Sequence, residues 1–198
     1  MSSELHTAVI PLSALLPKVG SVNRAQMILA RFDVAEYRLC RGLNRTSELP
    51  ALRLLLRAAS RLGDGIIWYV LVGILPLLYG PAALRPAIAM AVTGIAGLII
   101  YRWLKLSLVR ERPFIRHDAI TLAMAPLDRY SFPSGHTLHA VSFTWLAVHS
   151  FPELGWVLLP LAGLIATSRV ALGLHYPSDV IAGGAIGAIL AVLAQHFI

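Results

Sequence analysis

Five apolar stretches, at residues 66–79, 87–103, 138–151, 154–167 and 180–198, constrain this chain more than any other feature. Each is at or below the ~20 residues a membrane-spanning helix needs, and each can be lengthened through uncharged flanks or polar motif residues. In hydrocarbon every backbone N–H and C=O must be satisfied within the segment, so helices are expected rather than strands. Composition agrees: 57% of the 198 residues are hydrophobic and only 14% charged. That is too little polar surface to cover the core of a water-soluble domain of this size. The expected fold class is all-α, a polytopic membrane helical bundle with five clear spans and a sixth left open.

The first 62 residues differ in kind. Ile28, Phe32, Ala35, Leu39 and Leu43 recur at helical spacing beside a stripe of Arg24, Arg31, Arg38, Arg41 and Arg45. A second piece repeats the plan, with Leu52, Leu55, Leu56 and Ala59 beside Arg53, Arg57 and Arg61, and Pro50 suits its first turn. Such helices lie in the membrane interface, apolar face down and arginines toward phosphate head groups. The alternative is a solvated helix packed on the bundle. The second piece can also continue into the first span as one long helix. The chain is therefore divided into an N-terminal amphipathic, interfacial segment, 1–62, and a membrane-embedded domain, 63–198. The net charge of +7 then belongs to membrane edges, anionic head groups or an anionic substrate, and no nucleic-acid partner is expected. Cys40 is the single cysteine, which excludes an internal disulfide and a cysteine metal cluster. No cleavable leader is expected, because the short apolar stretch before Pro17 lacks a charged start.

The remaining charge is concentrated. Lys105, Arg110, Glu111, Arg112, Arg116, Asp118, Asp128 and Arg129 all follow the second apolar stretch, whereas the opposite loops carry only Arg85 and Glu153. Three clusters stand at the ends of apolar helices. In the first, Lys105 and Arg112 are seven residues apart, so a continuing helix ended by Pro113 would align them on one face. An arginine fork and an ammonium so placed suit an anion with several oxygens; ordinary interfacial anchoring is the alternative. In the second, Pro133-Ser134-Gly135-His136 precedes the third stretch. A helix start there offers unpaired N–H groups, a hydroxyl and a close backbone approach to a phosphate, with His136 able to protonate a leaving group. In the third, Ser168-Arg169 is followed by His175 and then Asp179, with Pro177 marking a helix start. A carboxylate four residues on can accept a hydrogen bond from one imidazole nitrogen and leave the other free to attack; a structural His–Asp cap is the alternative.

Taken in order, Lys-x6-Arg-Pro, Pro-Ser-Gly-His and Ser-Arg-x5-His-x3-Asp resemble the three-part signature of the type 2 phosphatidic acid phosphatase superfamily. The resemblance covers residues 105–179 without a departure at any signature position. In size the chain is similar to the small bacterial members, including undecaprenyl diphosphate phosphatases. The resemblance implies a metal-independent hydrolase, without cofactor, acting on a lipid phosphate or diphosphate through a phosphohistidine. Lys105, Arg112 and Arg169 would bind phosphate oxygens, with Ser134 and Gly135 adding hydrogen bonds. His175 would attack phosphorus, oriented by Asp179, and His136 would protonate the departing oxygen. Undecaprenyl diphosphate is the substrate expected, with phosphatidylglycerophosphate and phosphatidate as rivals.

Three other classes compete. A metal site would draw on His117, Asp118, Asp128, His136, His139, His175 and Asp179, but three cations in the same constellation would repel a divalent ion. A transporter or binding protein for anionic lipids would use the cations without turnover, yet has no need of two histidines with a carboxylate behind one. Vanadium haloperoxidases share the signature but are soluble. The localisation expected is the inner membrane, multi-pass. With five spans the arginine-rich segment and the signature loops share one side, which loop charge would make cytoplasmic and the resemblance would place at the periplasm or exterior. The external face is preferred, since catalysis itself recruits charge to the site.

Overall fold

The computed structural model describes residues 24–198, with side chains from Asp33 onward. Arg24, Ile28, Arg31 and Phe32 of the predicted stripe, and the apolar stretch before Pro17, therefore lie outside the described side chains. In chain order the helices are α1 (Arg24–Arg45), α2 (Pro50–Leu62), α3 (Ile66–Tyr79), α4 (Leu84–Leu108), α5 (Pro113–Arg116), α6 (Gly135–Ser150), α7 (Gly155–Ala171) and α8 (Pro177–Gln195). Among the described residues the only extended pairing is an isolated bridge between Glu111 and Tyr130. By compactness the chain divides into residues 1–34 and 35–198. The described part of the first unit is the opening of α1; the second holds every other element.

Each of the five predicted stretches falls on a helix, α3, α4, α6, α7 or α8. Short 3-10 turns that contain Pro81 and begin at Pro152 join α3 to α4 and α6 to α7. Connections this short make packed neighbours antiparallel. The start of α3, the end of α4, the start of α6, the end of α7 and the start of α8 consequently lie at one end of the bundle. At the other end Tyr79 stacks on Phe151 and bonds Glu153. Large apolar side chains face outward along the bundle, among them Leu77, Ile88, Ile99, Trp156 and Ile181, which suits hydrocarbon rather than water.

Among the described residues three stretches are long and apolar enough to cross a membrane: Ile66–Leu108, which is α3 and α4 together, Pro152–Ala171 and Pro177–Gln195. Helix α6 is not among them. It has 16 residues, and it carries buried Thr137, Ser142 and Thr144. Protein surrounds it, since α4, α7 and α8 all pack against it, so it does not need an apolar surface on every side.

The tightest contact is between α6 and α8. A Cβ on Gly183 would collide with the Ser134 carbonyl, and one on Gly187 with the Leu138 carbonyl. This Gly-x-x-x-Gly pair lets two backbones touch and fixes the first turn of α6 against α8. Gly187→Val should overpack the contact by about 1–3 kcal/mol and lower the melting temperature in detergent. An unchanged melting curve would show that the two backbones are not in contact.

Several sequence expectations are corrected. Helix α4 does not run on to Arg112: it stops at Leu108, where Val109 takes a left-handed conformation (φ 44°). Lys105 and Arg112 therefore do not share a helix face, and Pro113 opens α5 instead of closing α4. Nor do α2 and α3 merge, because Gly63–Gly65 breaks the helix and Gly65 sits at φ 128°, where only glycine is unstrained. With 13 residues, α2 is ~20 Å long, and it is not one of the stretches long and apolar enough to cross a membrane among the described residues. It packs on α7 through Leu56, Ala59 and Ser60. In α1 the buried stripe is polar, Glu36 and Asn44 flanking Cys40, while Leu39 is 53% exposed. The apolar residue faces out because the inward polar groups find partners on the loop after α5 and at the ends of α7 and α8: Asn44 bonds Thr121 and Ala171, and Glu36 bonds Ser178.

Candidate active site

A cavity of about 720 Å³ opens at the end of the bundle where the signature segments meet. Its polar end is lined by Lys105, Arg112, Gly135, His136, Arg169 and His175. These come from α4, the α4–α5 corner, α6, α7 and the α7–α8 turn, elements that the antiparallel order returns to one place. The other wall is apolar and aromatic, with Trp68 and Val72 of α3 facing Ile95, Leu98 and Tyr101 of α4.

Arg112 is the structural hub. Only 1% of its side chain is exposed. Its Nε donates to the Asp128 carbonyl at 2.9 Å, Nη1 to the Leu174 carbonyl at 2.7 Å and Nη2 to Asp128 Oδ1 at 2.8 Å. Lys105 Nζ donates to the other carboxylate oxygen, Oδ2, at 2.5 Å. Arg169 is also buried and bonds the Ser60 hydroxyl of α2, and its Nε has no hydrogen-bond partner among the described residues. Asp128 thus joins the two cations that the sequence placed on a helix face.

His175 is fully buried, with Nε2 3.4 Å from Arg112 Nη1. An arginine N–H can only donate, so Nε2 carries the lone pair and Nδ1 the proton. Burial and then the charges of Arg169, Arg112 and Lys105 hold the ring well below the ordinary histidine pKa, leaving it neutral. The expected hydrogen bond to Asp179 is not made. Nδ1 lies 3.7 Å from Asp179 Oδ2 and has no hydrogen-bond partner among the described residues, because Asp179 is engaged elsewhere. Its Oδ1 accepts from Arg110 at 2.6 Å and its Oδ2 from the Tyr176 N–H at 2.8 Å.

Ser134 and Asp179 stand behind the lining. The Ser134 hydroxyl caps α6 by accepting from the Thr137 N–H, and its own N–H donates to the Asp179 carbonyl at 3.0 Å. Gly135 presses on the Tyr101 ring, so a side chain there would be crowded. His136 Nε2 pairs with Asp64 Oδ1 in the α2–α3 turn. Of the residues weighed as metal ligands, His117 lies tilted against the Tyr37 ring and edge-on to Tyr176, and His139 reaches the Gly135 and Gly94 carbonyls.

Asp64 and Glu36 escaped the sequence reading, while Arg110 and Asp128 were read there as concentrated charge, and Asp128 as a candidate metal ligand, but not as partners of Asp179, Lys105 and Arg112. Arg110 bonds Asp179, Ser178 and Glu36 while its guanidinium lies 4.1 Å above the Tyr176 ring. A signal existed for Asp64, the sole acid between Glu48 and Glu111, set between two glycines at a helix break.

The model of the PAP2 superfamily matches residues 82–198, more than half of the chain, and the protein belongs to that superfamily. The undecaprenyl-diphosphatase BcrC of Bacillus subtilis (strain 168) is 33% identical over 133 residues, 67% of this chain and 68% of the relative. An undecaprenyl-diphosphatase of Sulfolobus acidocaldarius is 27% identical over 165 residues, 82% of this chain and 77% of the relative. In fold the chain is similar to the crystal structure of a transmembrane PAP2-type phosphatidylglycerolphosphate phosphatase from Bacillus subtilis, with a TM-score of 0.67 at 22% identity over 84% of this chain and 86% of that one. With membrane-spanning helices and these relatives, the chain is a multi-pass membrane protein.

Proposed function

We propose that this PAP2 enzyme hydrolyses a lipid phosphate, with undecaprenyl diphosphate as substrate, through a phosphohistidine on His175. One observation carries the reading: three separated signature segments bring three cations and two histidines to the polar end of one cavity whose remaining wall is apolar. A head group and the start of an acyl or prenyl chain fit such a division. The relatives named as undecaprenyl-diphosphatases favour the diphosphate.

Lys105, Arg112 and Arg169 hold the phosphate oxygens and offset the charge that builds in the transition state. The N–H groups at the start of α6 add donors at Gly135, positioned by the Ser134 cap. His175 Nε2 attacks phosphorus, the bond from phosphorus to the leaving oxygen breaks, and His136 gives that oxygen its proton. The ring gains positive charge as it attacks, and a small shift of Nδ1–H toward Asp179 balances it. Water then attacks phosphorus, giving a proton to His136 and so restoring it; the P–N bond breaks, and inorganic phosphate leaves with His175 neutral again. The protein cations do the work a magnesium ion does in many phosphoryl transfers, so no metal is required. The five helices α3, α4, α6, α7 and α8 cross the inner membrane, with the site on its outer face and the basic α1–α2 segment along the interface.

A phosphate-release panel with purified protein in detergent tests this. Undecaprenyl diphosphate should give the highest kcat/KM, EDTA should leave the rate unchanged, and vanadate should inhibit. Preference for phosphatidylglycerophosphate or phosphatidate would reassign the substrate. Lipid binding without any phosphate release would make the protein a carrier.

A further inference from the structure

Two of the three cations at the end of the cavity are already holding an anion. Asp128, on the loop between α5 and α6, gives Oδ2 to Lys105 Nζ at 2.5 Å and Oδ1 to Arg112 Nη2 at 2.8 Å. A carboxylate and a phosphate both present paired oxygens, so the donors that grip one grip the other. Burial is unequal: the Lys105 and Arg112 side chains are 10% and 1% exposed, that of Asp128 40%. The cations are fixed in the protein, whereas the carboxylate reaches them from a loop and borders solvent. The Arg112 Nε bond goes to the Asp128 main chain, so the loop stays anchored if the carboxylate turns away. Burial pushes the Asp128 carboxyl up, but Lys105 and Arg112 outweigh it and hold the group below its ordinary pKa. It is an anion at any working pH.

We propose that Asp128 is a built-in competitor for the substrate's phosphate, bridging Lys105 and Arg112 and released when a more highly charged phosphate enters. This rests on the reading of Lys105 and Arg112 as phosphate ligands. The consequence is selection by charge. Bulk membrane phospholipids carry phosphodiesters with a single negative charge, and they exchange one monoanion for another with no electrostatic gain. A phosphomonoester dianion or a diphosphate brings additional charge and displaces the carboxylate. An otherwise open site with three cations, facing a membrane full of phosphodiesters, would be occupied by non-substrates. The same competition weakens retention of product phosphate.

The test is calorimetric titration of purified protein in detergent at pH 8 with inorganic phosphate and, separately, with dimethyl phosphate, a monoanionic phosphodiester. Wild type is compared with Asp128→Asn and with Asp128→Ser, which is too short to reach either cation. Either variant suffices if the other fails to fold. Removing the competing charge-assisted bonds should tighten phosphate binding about tenfold or more and bring dimethyl phosphate into the measurable range. Unchanged or weaker phosphate binding in a folded variant would overturn the proposal and make Asp128 a scaffold for the two cations. Because binding is read rather than turnover, the two readings fail separately. Absence of lipid hydrolysis by the wild type sinks the phosphatase, and unaltered binding in the variants sinks the competitor.

Discussion

His175→Ala should release no phosphate and form no phosphoenzyme. Rapid quenching of the wild type at alkaline pH with labelled substrate should trap an acid-labile adduct on His175, since phosphohistidine survives base and not acid. The structure gives this residue a lone pair on Nε2 beside Arg112 and a proton on Nδ1 toward Asp179. His136→Ala should behave differently, because its proposed task is to protonate the leaving oxygen. Such catalysis is worth ~10²–10⁴-fold, so a lipid alcohol or phosphate leaving group should suffer by about that factor while a nitrophenyl phosphate is partly spared. Label on His136, or equal sensitivity of the two variants to leaving-group quality, would reverse the assignment.

What could be read from the sequence, and what could not, follows from range. The five apolar helices are local features, set by hydropathy over one turn after another, and all five appear. Ser134 as the cap of α6 and Pro177 at the start of α8 are likewise decided within a few residues. The stop of α4 was hidden because Val109, a β-branched residue, takes the left-handed turn that glycine usually marks. Pairings across space left still less trace. Asp128 meets Lys105 across 23 positions, Asp64 meets His136 across 72 and Glu36 meets Arg110 across 74, with no periodicity linking the members. The His175–Asp179 spacing shows the other side of this limit: four residues bring the pair within 3.7 Å, but they do not exclude Arg110, which holds the carboxylate first. Helix α1 illustrates it again. Its apolar stripe was conspicuous, yet the face packed on the bundle is the one bearing Glu36, Cys40 and Asn44, whose partners lie far along the chain.

Arg112→Lys should reduce kcat by about two orders of magnitude or more although the charge is kept. The scale follows from removing transition-state donors in a water-excluded site, where each costs ~10²–10³-fold. The guanidinium here donates from three nitrogens in fixed directions, to the Asp128 carbonyl, the Asp128 carboxylate and the Leu174 carbonyl. It thereby clamps the loop before α6 to the turn that carries His175. A lysine ammonium is a single point donor on a flexible stem and cannot span two loops. Two losses should accompany each other: phosphate coordination, read in kcat, and alignment of His175, read as slower formation of the phosphoenzyme under single-turnover conditions. KM should change less than kcat if the fork grips the transition state more strongly than bound substrate. A modest fall in melting temperature is also expected, since the Leu174 and Asp128 carbonyls lose a buried partner. Near-normal turnover in Arg112→Lys would reduce Arg112 to a charge at the membrane edge and remove the clamp from the mechanism.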